Sequence, residues 1–211
     1  MITDVCVNRP GGFELTSRLI DLVKLPEGSK ILDVGCGSGA TVEYLHSEYG
    51  YRSFGMDKNI REAEGNTRQP LVQGIGSKLP FDDRYFDGLL CECSFSLFDT
   101  PEASLLEFAR VLKDGGCLFM SDLYARQKGG SMDNPAVKYL YTKEKLWSML
   151  IKSGFQPNVF EDQTFWMKTL LAQKMMDGGQ AALDKLFAGE YGRLKAMGCG
   201  YYILTAHTLI Y

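Results

Sequence analysis

The run Ile31-Leu32-Asp33-Val34-Gly35-Cys36-Gly37-Ser38-Gly39 constrains this chain more than any other segment. Apolar and β-branched residues with one acid lead straight into three glycines at alternate positions, and an amphipathic pattern opens at Ala40. That order predicts a buried parallel strand, a loop bare of side chains, and a helix. Glycine lets a flat ligand lie against the main chain with no Cβ in the way, and it permits positive φ in the turn. The helix N-terminus adds N–H groups without intrahelical partners, aimed into the same space.

The rest of the pattern extends this unit. Residues 15–25 read as a helix stopped by Pro26, followed by a strand over 30–34 and a helix over 40–49. Strands follow over 52–57, 71–73, 87–93 and 117–123, with a short helix from Ile60 and a helix over 101–112 that carries Pro101 in its first turn. Residues 124–141 read as loop. Thr142 caps a helix over 143–153 that Gly154 ends, and 159–162 is a sixth strand. Residues 163–200 read as an added pair of helices, 165–176 and 180–197, divided by Gly178-Gly179. Residues 201–211, aromatic and β-branched, form a last strand. Strands alternating with helices predict an α/β fold, a doubly wound and mostly parallel seven-stranded sheet in a single domain over 1–211.

The totals exclude several classes. The chain has 211 residues, a net charge of −3 and no lysine- or arginine-rich run, so the electrostatic footprint of a nucleic-acid binder is missing. No apolar run approaches the roughly 18 residues that span a membrane, and residues 1–10 hold no apolar signal region. A cytoplasmic protein is expected, with its six cysteines as reduced thiols.

The glycines alone do not select a ligand, because Gly35-x-Gly37-x-x-Ala40 also satisfies the loose dinucleotide fingerprint. Asp57 ends the second strand 22 residues after Gly35, close to the offset of roughly 20 for an acid on the ribose hydroxyls of an adenosine. Leu79-Pro80-Phe81 follows, then Phe86-Asp87, then Arg110-Val111-Leu112-Lys113-Asp114-Gly115-Gly116. With these in order over residues 30–123, the chain resembles the class I S-adenosylmethionine-dependent methyltransferases, the small-molecule "type 11" branch in particular. The resemblance implies S-adenosylmethionine as cofactor, a small-molecule methyl acceptor, and a Rossmann-like sheet whose last strand runs antiparallel between strands five and six. It makes residues 1–29 a cap segment, 30–123 the cofactor-binding core and 163–200 a helical insertion before the last strand. A monomer or homodimer is expected.

The resemblance also assigns roles. Asp33, Gly35, Cys36, Gly37 and Gly39 would hold the methionyl half of the cofactor, and Asp57 the ribose, with Lys58 beside it under the adenine. Ile75-Gly76-Ser77 stands where the family often has Asp-Ala, whose Asp accepts from the adenine amino group. Ile75 has no such acceptor, so a backbone carbonyl, Ser77 or apolar contact must serve. Cys91 matches the position whose carbonyl faces the cofactor amino group. Arg9 is either a partner of the methionine carboxylate or an exposed loop arginine. Methyl transfer needs a base only when the acceptor must lose a proton early. The candidates are Glu92, Asp122 and Tyr124; His46 reads as surface and His207 as packing.

Three other readings stay open. A nicotinamide-dependent Rossmann oxidoreductase fits the glycines but not the later motifs. A methyltransferase-like module without catalysis fits Ile75 and the missing evident base. Cys36, Cys91 and Cys93 fall at one sheet edge, with Cys6 on the cap segment, and thiols there would suit a metalloid such as arsenic. No Cys-x-x-Cys pair exists, buried cysteine commonly packs as a small hydrophobe, and no metal ligand set is assigned.

Overall fold

The computed structural model describes residues 9–60, 69–132, 134 and 137–210. The helix expected from Ile60, the thiol of Cys6 and the end of the last strand at Tyr211 lie outside the described residues. Seven strands form one sheet in the order β3-β2-β1-β4-β5-β9-β8. Here β1 is Lys30–Val34, β2 Arg52–Asp57, β3 Leu71–Gln73, β4 Phe86–Glu92, β5 Leu112–Ala125, β8 Phe155–Asp162 and β9 Cys199–Thr208. β1 pairs in parallel with β2 on one side and β4 on the other, so the strand order reverses beside β1. That reversal opens a crevice at the carboxyl ends of the central strands.

β9 runs antiparallel to both of its neighbours, β5 and β8. It lies inside the sheet, so both its faces must be apolar, and Tyr201, Tyr202, Ile203, Leu204 and Ala206 are all buried. Successive residues point to opposite faces of a strand, which divides the core in two. Leu89, Leu118 and Leu204 pack with Phe108 and Leu150 on one face. Leu90, Phe119 and Ile203 pack with Leu15, Leu19 and Ile20 on the other. Helices α1 Gly12–Asp21 and α2 Ala40–Tyr49 precede and follow β1, and α3 Pro101–Val111 and α4 Lys143–Lys152 flank β5 in sequence.

Several boundaries differ from the sequence expectation, each for a local reason. β8 begins at Phe155 rather than 159 because Pro157 is tolerated there. β8 is an edge strand, and its register shifts between Pro157 and Val159. β5 begins at Leu112, which pairs with Phe86 ahead of a register shift. The expected loop over 124–141 contains a two-stranded pair, β6 Gly130–Ser131 with β7 Tyr139–Leu140. The insertion is α5 Thr164–Leu186 and α6 Tyr191–Ala196. Gly179 breaks the helical geometry of α5 at φ 62°, ψ −156°, which is where the sequence divides it. The second helical stretch stops early because Ala188 and Gly189 take φ of 47° and 83°. Among the described residues no helix is long and apolar enough to cross a membrane.

β9 is one of the inner strands, where truncating a fully buried side chain leaves a cavity. Ile203→Ala is expected to cost about 2–5 kcal/mol. A urea titration followed by circular dichroism checks it; a midpoint unchanged from the parent would contradict the placement.

Candidate functional site

The glycine loop is fixed by main-chain bonds before any ligand is considered. The amides of Gly35 and Cys36 both donate to the Met56 carbonyl, at 2.7 and 3.1 Å, and so join the end of β1 to the end of β2. Gly35 takes φ 86°, and a Cβ there would meet the Ser94 hydroxyl at 2.1 Å. The loop thus needs glycine at 35 for its own packing as well as for its turn. Gly37, at φ 55°, would place a Cβ in open space.

At the end of β2, Asp57 is held through both carboxylate oxygens. Gly37 N donates to one at 3.0 Å and Asn59 N to the other at 2.8 Å. Asp57 lines a cleft of about 300 Å³ whose other walls include Lys58, Ile75, Gly76 and Ser77. Ser94, Leu97, Phe98 and Thr100, from the segment after β4, close it. The sequence expectation placed none of these four in the site. The one available signal was the aromatic pair Phe95 and Phe98, which pack edge to face at 5.8 Å. Gly76 fits against Phe98, whose ring would lie 2.8 Å from a Cβ at that position. Ile75 is 54% exposed at the cleft mouth.

A second group of polar side chains lies behind the glycine loop. Asp33 is buried, and burial, with Glu92 nearby, pushes its pKa up to about 8. Glu92 forms an ion pair with Arg9 at 2.8 Å, the two side chains only 3% and 13% exposed. The Thr16 hydroxyl donates to Glu92 at 3.1 Å and the Ser121 hydroxyl at 3.2 Å. Arg9 also donates to Thr41 at the start of α2, at 2.9 Å. Its Nε is buried without a hydrogen-bond partner.

Asp122 accepts from Ser96 N at 2.8 Å, from the Ser96 hydroxyl at 2.9 Å and from Leu123 N at 2.7 Å. Burial raises its pKa to about 6, against the pull of those donors. Asp122, Arg9, Cys93 and Tyr201 line a second cavity of about 140 Å³, roofed by α5. Tyr124 lines neither cavity; its hydroxyl donates to Asp162 at 2.6 Å and its ring packs on Phe160 and Tyr202. The structure therefore brings Arg9 and Glu92 into contact, puts Asp122 in the adjoining cavity, and ties Tyr124 elsewhere. Burial pushes up the thiols of Cys36, Cys91 and Cys93, and Cys93 shares a hydrogen bond with Tyr201 at 2.9 Å. Among the described residues no group of three or more His, Cys, Asp or Glu is placed to hold a metal ion.

The raised carboxyl pKa values fix the sign of a pH effect. From 3.8 to about 8 for Asp33, and from 3.8 to about 6 for Asp122, the folded chain holds protons that the unfolded chain has released. These groups therefore make stability fall as pH rises through that window. Asp33→Asn is expected to flatten the fall between about pH 6 and pH 8, read from urea midpoints at stepped pH. An unchanged slope would contradict the assignment.

Comparison with known proteins gives one family and a spread of relatives. Residues 32–120 match the family model described as a methyltransferase domain. A phosphoethanolamine N-methyltransferase of Triticum aestivum is 26% identical over 90% of this chain and 42% of its own length. A fatty-acid O-methyltransferase of Mycolicibacterium smegmatis is 34% identical over 47% of this chain and 39% of its own length. The chain thus spans less than half the length of these relatives. Among solved structures, phosphoethanolamine N-methyltransferase 2 of Haemonchus contortus, in complex with S-adenosylmethionine, superposes with a TM-score of 0.77. It is 19% identical, with 95% of this chain and 53% of that chain covered, and shows the same fold. Through residues 32–120 the chain is similar to methyltransferase domains, and the solved structures share its fold.

Proposed function

We propose that the chain transfers a methyl group from S-adenosylmethionine to a small-molecule acceptor. The observation that carries this reading is Asp57, held rigid by two backbone amides inside a cleft large enough for a nucleoside. Such a carboxylate suits the paired ribose hydroxyls. Lys58, Ile75, Gly76, Ser77 and Phe98 would enclose the adenine, largely by apolar contact, and the exposed Ile75 leaves its polar edge to the backbone and to Ser77. Gly35, Cys36, Gly37 and Gly39 would carry the methionyl part against the main chain, with the Cys91 carbonyl beside its amino group.

The charges around the loop fit that cofactor. Glu92 and Asp57 supply two carboxylates, and Asp33 a third acid that burial keeps largely protonated at neutral pH, around one buried arginine. The cofactor brings two positive groups, an ammonium and a sulfonium, and one carboxylate, for which the unpartnered Nε of Arg9 is a buried donor. Bound there, it supplies a methyl group already activated on sulfur. The protein's share is alignment and exclusion of water, with Asp122 or Glu92 as the group that takes a proton from the acceptor. Asp122 suits this better, since Glu92 is committed to Arg9. The relatives carry names with quite different acceptors, an amine and a fatty acid, which supports specificity set outside the shared core. We read the chain as one domain that acts in the cytoplasm, as a monomer or homodimer, without nucleic acid.

Isothermal titration with S-adenosylhomocysteine is expected to show saturable one-to-one binding. Asp57→Ala is expected to weaken it about 10- to 100-fold, the range for hydrogen bonds to a charged group. Binding of NADH in place of S-adenosylhomocysteine, or an Asp57→Ala variant that binds like the parent, would contradict the proposal.

A further inference from the structure

The nucleoside-sized cleft has two walls, and each carries an acid. One wall holds Asp57 and Lys58 at the end of β2, with Ile75, Gly76 and Ser77. The other runs from Ser94 through Leu97, Phe98, Asp99 and Thr100 to Ser104 near the start of α3. Adenine offers ring nitrogens that accept hydrogen bonds and one exocyclic amino group that donates. The amino group therefore calls for an acceptor on one of these walls.

The side chains lining the cleft differ in what they supply. Ile75 has no acceptor. The hydroxyls of Ser77, Thr100 and Ser104 donate or accept as needed, so they suit a ring nitrogen as well as an amino group. Ser104 already donates to the Thr100 carbonyl at 3.0 Å. Asp57 receives two backbone amides and is the proposed partner of the ribose. Asp99 is the remaining carboxylate on the walls, and an ionised carboxylate only accepts.

The surroundings of Asp99 hold it ionised and in place. Lys138 Nζ donates to its Oδ1, and among the described residues Oδ2 has no hydrogen-bond partner. The backbone of Lys138 is fixed on both sides: its amide donates to the Ser96 carbonyl at 2.9 Å, and its carbonyl accepts from Met132 N at 2.7 Å. The bond from Lys138, and then the charge of Lys58 on the other wall, hold Asp99 below the usual carboxylate range.

Resting on the methyl-transfer reading above, we infer that Asp99 selects adenine: its Oδ2 accepts from the exocyclic amino group of the bound cofactor. Ser77 and the main chain then serve the ring nitrogens. A contact of this kind discriminates against a base that lacks the donor. The Asp99 side chain is 79% exposed, so water competes for the same hydrogen bond and the discrimination is modest.

Isothermal titration of the full chain with two ligands tests this: S-adenosylhomocysteine, and its analogue with hydrogen in place of the adenine amino group. The parent is expected to bind S-adenosylhomocysteine about three- to tenfold more tightly than the analogue. Asp99→Ala is expected to bind the two alike, with the analogue's affinity unchanged from the parent, because that ligand never engaged the carboxylate. Ser77→Ala is expected to keep the parent's preference. A merely structural role for Asp99 would weaken both ligands together and leave their ratio as it was. A parent that binds the two equally, an Asp99→Ala variant that keeps the preference, or a Ser77→Ala variant that loses it would each overturn the proposal and leave the methyl-transfer reading standing. A parent that binds neither ligand would remove that reading, and this proposal with it.

Discussion

The buried ion pair of Arg9 with Glu92 is the contact on which the site's organisation depends. It joins the segment before α1 to the end of β4, and through Thr16, Thr41 and Ser121 it reaches α1, α2 and β5. A pair so deeply buried is not evidence of net stability, because desolvation offsets the attraction. Its consequence is one of specification. Either charge alone in that position would cost about 3–5 kcal/mol, so the chain before α1 must return to this place for β4 to end as it does. The same pair sets the charge that any ligand meets. Arg9 is present but neutralised, and the acids around the glycine loop outnumber it.

Topology explains why two cavities meet there. The order reverses at β1, which leaves the carboxyl ends of β1, β2 and β4 facing an open edge. The glycine loop, Asp57 and Glu92 all stand at those ends. On the far side of β4 the chain turns at Cys93, a non-glycine residue with φ of 50°, and runs into the short helical turn Phe95–Leu97. That turn divides the nucleoside-sized cleft from the smaller apolar cavity. A reaction that joins two ligands needs such a partition, with each ligand held on its own side and the reacting atoms brought to the gap. The insertion α5 supplies the roof of the smaller side and lies outside residues 32–120, the segment that matches the methyltransferase-domain model.

The inner strands β1, β4, β9 and the second half of β5 were legible because they are buried on both faces and therefore carry apolar runs, and because glycines and prolines punctuate the sheet. The strand over 52–57 and the helix over 40–49 match residue for residue. Legibility failed where tertiary context overrides a local signal. Pro157 hides the first half of β8, which only the position at the sheet edge permits. The end of α5 depends on left-handed backbone at Ala188 as well as Gly189, and alanine gives no warning of it. In the site, Asp57 is visible from its spacing to the glycines. Phe98 is not, since an aromatic after a strand reads equally as core. Tyr124 shows the opposite limit: its place after β5 suggests the cleft, but the alternation of the strand turns its hydroxyl towards Asp162.

The central claim is that the glycine loop and Asp57 seat an adenosyl ligand with its sulfur turned towards the partition at residues 93–96. A crystal structure of the full chain with S-adenosylhomocysteine tests this directly. The account predicts both ribose hydroxyls within hydrogen-bond distance of Asp57, the adenine against Phe98, and the sulfur facing the cavity that Asp122 lines. A nucleoside bound away from Asp57, or a sulfur pointing out to solvent with residues 93–96 on its far side, would contradict it.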